Sequence, residues 1–91
     1  MDEILRTISL KKDEVYELIY SRDYRIDIFN NCDSDIYISF SNEFIVSGNI
    51  GNYLTIPSNV AFNNLKLRKS SNKLYIKSQV DGNITVIASI D

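Results

Sequence analysis

The residues able to do chemistry are few, and several of them sit together. Asn30, Asn31, Asp33, Ser34 and Asp35 form a cluster of oxygen-bearing side chains that could be offered to a calcium ion. An EF-hand loop needs a longer pattern closed by a bidentate Glu, and the chain lacks it. The spacing fits better a turn whose Asn and Asp side chains bond the local backbone. Cys32 lies inside the same stretch, but it is the one cysteine, and histidine is absent. It therefore has no disulfide partner in the chain and no imidazole to make it a nucleophile. Lys66, Arg68, Lys69, Lys73 and Lys77 gather around one expected turn, with Tyr75 among them. Such a group could stack a base beside bound phosphates. Alternation puts Lys66, Arg68, Lys73, Tyr75 and Lys77 on a solvent face, however, and a net charge of −2 does not attract a polyanion.

No P-loop, nucleophile elbow or zinc spacing occurs, and the glycines at 48 and 51 precede a strand pattern rather than a helix. The expectation is a non-enzymatic chain with no cofactor and no metal ion. Tyrosine is the leading aromatic, at Tyr16, Tyr20, Tyr24, Tyr37, Tyr53 and Tyr75. Its apolar body and polar tip suit interfaces. Tyr37, Tyr75 and Ile87 fall on the outward positions of their strands and together suggest a sheet face that meets another chain.

The elements that would position these residues are strands. Arg25 to Ser41 reads as two alternating runs around a polar turn. Ile26 and Ile28 lie on one side of the first, and Ile36, Ile38 and Phe40 on one side of the second. That pattern predicts a β-hairpin with one buried face. Ile4, Ile8 and Leu10 share a face of an earlier strand, and Tyr16, Leu18 and Tyr20 share a face of the next. Residues 21–24 read as a loop, Glu43–Ser47 as a short apolar run, and residues 48–52 as a glycine loop. Tyr53–Ile56 is a strand stopped by Pro57. Val60 and Phe62 open a further segment that Leu65 and Leu67 continue, and residues 68–73 form an exposed turn. Leu74 and Ile76 alternate with Tyr75 and Lys77; Asp81–Asn83 signals a hairpin turn; Ile84, Val86, Ala88 and Ile90 mark the inner face of the last strand. About eight short strands with frequent turn signals predict an all-β fold, a small antiparallel β-sandwich of jelly-roll type.

A chain of 91 residues holds one such domain, spanning residues 1–91, with residues 1–20 a candidate oligomerisation segment or swapped strand. A domain this small buries roughly 60–65% of its unfolded surface, so its core is thin and association would help it. The chain has no apolar run near the ~20 residues of a membrane span, and its start lacks a signal-peptide layout. Synthesis in the cytoplasm is the expectation, without a membrane or nucleic acid as partner.

The order of elements resembles that of small virion accessory proteins of tailed bacteriophages. The resemblance rests on Arg25, Ile26, Ile28, Asn30, Ser34, Ile36, Tyr37, Ile38 and Phe40, followed by Leu54 to Pro57, Val60 to Phe62, Leu74 to Ser78 and Thr85 to Ile90. It covers residues 25–90. It implies a structural component of a virion, made in the host cytoplasm: a capsid decoration or cement protein, or a fibre or adaptor part. Homo-oligomers in contact with capsid, portal or tail proteins are implied with it. Tyrosine faces with nearby Asn and Asp support an alternative, a small carbohydrate-binding β-sandwich.

Overall fold

The computed structural model describes residues 3–19, 23–40, 53–67 and 73–90. They form strands β1 Glu3–Leu10, β2 Val15–Ile19, β3 Tyr24–Asn30, β4 Ile36–Ser39, β5 Leu54–Ile56, β6 Ala61–Leu67, β7 Lys73–Ser78 and β8 Gly82–Ile90, with no helix among the described residues. Period-two alternation explains most of them. In β3, Tyr24, Ile26, Ile28 and Asn30 are buried, and in β8, Ile84, Val86 and Ala88 are fully buried. β-Branched Ile and Val suit these inward positions because their stiff side chains pack well on a pleated surface.

Two four-stranded antiparallel sheets result, ordered β1-β8-β3-β6 and β2-β7-β4-β5. The chain changes sheet at every connection except β4 to β5. Eight strands interleaved in this order are a jelly roll, as the sequence pattern predicts. The shortest dimension, 17 Å, is that of two sheets stacked about 10 Å apart with outer side chains added. Between them lies one core dominated by isoleucine: Ile8, Ile26, Ile28, Ile36, Ile38, Ile56, Ile76 and Ile84, joined by Leu10, Leu18, Leu74 and Val86.

Four local expectations are corrected. The Arg25–Ser41 segment is not a hairpin. β3 pairs with β6 and β8, whereas β4 pairs with β5 and β7, so residues 31–35 arch from one sheet to the other. Asp81–Asn83 likewise carries the chain from β7 to β8 in the facing sheet. Phe40, expected inside with Ile36 and Ile38, lies beyond the end of β4 and is 49% exposed. Tyr24, expected in a loop, begins β3 and is buried.

The expected segment of Val60, Phe62, Leu65 and Leu67 is a single strand from Ala61, β6, interrupted where its register against β3 shifts between Ile26 and Ile28. Asn64 takes a φ of 62° there, and its amide donates to Asp27 Oδ1 at 2.9 Å. Asn tolerates the left-handed region better than most residues, which suits it to a bulge. The expected apolar run 43–47, the glycine loop 48–52 and most of the 68–73 turn lie outside the described residues.

Candidate functional site

The oxygen cluster is a structural joint. Asn30 closes β3 and is 1% exposed. Its Nδ2 donates to the carbonyls of Ser34 and Ile56, both at 2.9 Å, and its Oδ1 accepts from the Cys32 amide at 2.8 Å. Its own backbone donates to Val60 and accepts from Asn59. Its side-chain amide is thus committed to the backbone of the arch and of β5, which is the turn role the residue types suggest. Ser58 Oγ donates to the Cys32 carbonyl, and Asn31 N donates to the Asn83 carbonyl at 3.1 Å. Cys32 itself is 1% exposed and packs against Gly82, where an added Cβ would come within 2.7 Å of its sulfur.

All four connections at this end of the sandwich are tied together. Lys12 N donates to Asp81 Oδ1 at 2.7 Å, and Asp13 N to the Ser78 carbonyl at 2.8 Å. These bonds join the β1–β2 arch to the β7–β8 arch, as those of Asn30 join β3–β4 to β5–β6.

The basic residues do not converge. Lys66 lies on β6 of the first sheet, and Lys73 and Lys77 on β7 of the second. Outward side chains of two stacked sheets point apart. Lys73 is paired with Glu17 at 3.3 Å. Arg68 and Lys69 lie outside the described residues.

The three expected interface residues are also divided. Tyr37 and Tyr75 share the outer face of the second sheet, one diagonal step apart, since Tyr37 opposes Lys77 and Ser39 opposes Tyr75. Ile87 is on the outer face of the first sheet, between Leu5 and Asp27. Tyr37 has a neighbour that its own segment does not reveal: the Tyr53 ring lies edge-on to it, with centroids 5.2 Å apart and planes at 81°. Burial raises the Tyr37 phenol above its ordinary value, and the Asp35 charge and Tyr53 add to the effect. Val15 and Ile19 of β2 flank this face, 38% and 54% exposed. The outer face of the first sheet carries Leu5 at 69% and Phe29 at 38%, beside Ile87.

The exposed Leu5 had a signal in the sequence, because Ile4, Ile8 and Leu10 claim the other face of the strand. The Tyr37–Tyr53 contact had none; it depends on the β4–β5 register, in which Tyr37 opposes Thr55. At the end opposite the arches, a cavity of about 260 Å³ is lined by Ile38, Ser39, Phe40, Tyr53, Leu54, Leu65 and Leu74. It falls below the ~300–1,000 Å³ typical of small-molecule sites. Among the described residues no group of three or more acidic or cysteine side chains is placed to hold a metal ion. No helix of the described residues is long and apolar enough to cross a membrane.

Comparison with protein-family models, with curated proteins and with solved structures gave no significant match.

Proposed function

We propose that this chain is a non-enzymatic structural component of a tailed-phage particle, acting as capsid decoration or cement or as a fibre or adaptor part, and that it assembles as a homo-oligomer. One observation carries the reading: a thin jelly roll whose outer faces present aliphatic and aromatic side chains, led by Leu5 at 69% exposure. A two-layer sandwich of this kind gains by burying such groups against a neighbour, at roughly 25 cal/mol per Å² before the costs of association. Jelly rolls build viral capsids and lectins alike, so the fold admits the reading without selecting it. The order of elements over residues 25–90 adds the phage assignment. In this reading the protein is made in the host cytoplasm and resides in the virion.

The test is sedimentation at tens of micromolar, followed by co-sedimentation with purified capsids and tails. An oligomer that pellets with either supports the proposal. A monomer that pellets with neither ends it.

The grouping of Tyr37, Tyr53 and Tyr75 on one outer face favours a second reading, a carbohydrate-binding module that stacks sugar rings on tyrosine. A glycan array distinguishes it. Hits that disappear in Tyr75→Ala would support it, and an array without hits would dispose of it.

A further inference from the structure

We infer that the outer edge of β1 is the site at which a second copy of this chain adds, in antiparallel register centred on Leu5, to make one continuous eight-stranded sheet across a two-fold axis. The inference rests on the homo-oligomer reading above and names its surface. A jelly roll of two open sheets has four edge strands, here β1, β2, β5 and β6. Edges invite pairing, and proteins blunt those that are to stay free with short strands, bulges, Pro or charge. β5 has three residues and ends before Pro57. β6 carries the register shift and the left-handed Asn64. β2 carries Glu17 at its centre, paired to Lys73.

β1 is different. It runs eight residues, each matched to β8 without a shift, and contains no proline. Among the described residues nothing pairs with its other side. Its one charge on the core-side positions, Arg6, is turned to the Tyr16 hydroxyl of β2, donating from Nη2 at 3.1 Å. Leu5 on its outer face is an exposed large hydrophobic, at 69%.

The sequence of β1 selects the partner and the register. Residues that oppose each other across an antiparallel pair lie on the same face, so a two-fold axis must pass through one residue position. Centred on Arg6, the pairing would set two guanidiniums face to face, which is unfavourable. Centred on Thr7, it would leave Leu5 opposite Ser9 of the other copy. Centred on Leu5, it pairs residues 3–7 of each copy, setting Leu5 against its twin, Arg6 against Ile4, and Thr7 against Glu3. Leu5 already neighbours Ile87 on the outer face. The Leu5 register therefore lines up Ile87, Leu5, Leu5 and Ile87 across the axis, an apolar row that neither copy has alone.

The test places a cysteine at Leu5, Arg6 or Thr7 in turn, in a chain also carrying Cys32→Ala, and applies mild oxidation or a short bis-maleimide. Leu5→Cys should give a covalent dimer, because directly opposed β-carbons lie within roughly 4.5–5.5 Å. Cross-linking at Arg6→Cys or Thr7→Cys instead would overturn the register. In parallel, Leu5→Lys should raise the dimer dissociation constant about a hundredfold, from two lost leucine contacts and two opposed ammonium groups. Its far-UV circular dichroism should stay unchanged, since Leu5 is mostly exposed already. A wild-type oligomer that Leu5→Lys leaves intact, with no cross-link at Leu5→Cys, would sink this inference and spare the homo-oligomer reading. A wild-type monomer would sink both.

Discussion

Asn30→Ala tests whether the polar cluster is a joint of the fold. The substitution removes one acceptor and two donated bonds: those to the Cys32 amide, the Ser34 carbonyl and the Ile56 carbonyl. Two of the three, to Cys32 and Ile56, are buried. Alanine leaves those partners without the side chain, and a buried group so orphaned costs about 1–3 kcal/mol. The Ser34 carbonyl is only part-buried, and water recovers most of that bond. The expected loss is about 3–5 kcal/mol. A domain of this length has about 5–14 kcal/mol in total, so the variant should be severely weakened. Each kcal/mol moves the melting point of a small domain by about 4–8 °C, which sets the expected fall at more than about 12 °C.

Urea unfolding followed by far-UV circular dichroism reads the effect. Two companions sharpen it. Asn31→Ala removes an exposed bond to Thr85 Oγ1 and should cost about 0.5 kcal/mol. Asn30→Asp keeps the acceptor for the Cys32 amide but turns both donors into a carboxylate facing two carbonyls, so it should be no better than alanine. If Asn30→Ala costs less than about 1 kcal/mol, no more than Asn31→Ala, the reasoning about the arch is wrong.

Three further outcomes follow from the packing. Gly82→Ala should destabilise by about 1–3 kcal/mol, since its new methyl would meet Cys32 Sγ at 2.7 Å; Cys32→Ala should recover part of that, because the Cys32 Cβ stays at 3.1 Å. Full additivity of the two in a double-mutant cycle would refute the contact. Ile76→Ala, fully buried at the centre of the second sheet, should cost about 2–5 kcal/mol, whereas Leu5→Ala at low protein concentration should change urea stability by less than about 0.5 kcal/mol. Tyr37 holds its proton more tightly when folded than when unfolded, through burial first and the Asp35 charge second. Its contribution is therefore intact below the ordinary tyrosine value near pH 10 and is lost as pH rises through the higher folded value. Tyr37→Phe should flatten the alkaline limb of stability against pH, and an unchanged limb would count against the assignment.

Much of the fold is legible in the order of apolar residues. The inward set of β3, β7 and β8 follows alternation residue by residue, because a strand has a period of two and one face is buried. What alternation does not encode is the sheet to which a strand belongs. A turn between paired strands and an arch between facing sheets use the same Asn, Asp, Gly and Ser. Here the difference lies in bonds that span the chain: Asn30 to Ile56, Asn31 to Asn83, Lys12 to Asp81. Tyr24 and Phe40 are misplaced by the sequence for the same reason, since each sits where a strand begins or ends. Of the expected surface residues, outward placement was readable for Tyr37, Tyr75 and Ile87. Their division between two faces was not, because it depends on sheet membership.

The thickness of the molecule bears on what it can do. A third layer, such as helices packed over a sheet, would bury the outer face and allow a cleft between layers. No such layer is present among the described residues, and the space between the central strands is filled by isoleucine. Ile26, Ile28, Ile36, Ile38, Ile76, Ile84 and Val86 are spent on that core, and alternation sends about as many side chains outward. Outer faces and strand edges carry the rest of the described side chains. Those surfaces differ in how they are guarded: β5 and β6 by proline and a bulge, β2 by an ion pair at its centre, β1 by the charge of Arg6 alone, which is turned to Tyr16. A long edge with one inward charge, beside an exposed leucine, is a liability in a free monomer and an asset in an assembly, which is why the pairing inferred above is placed at β1 rather than at the other three edges.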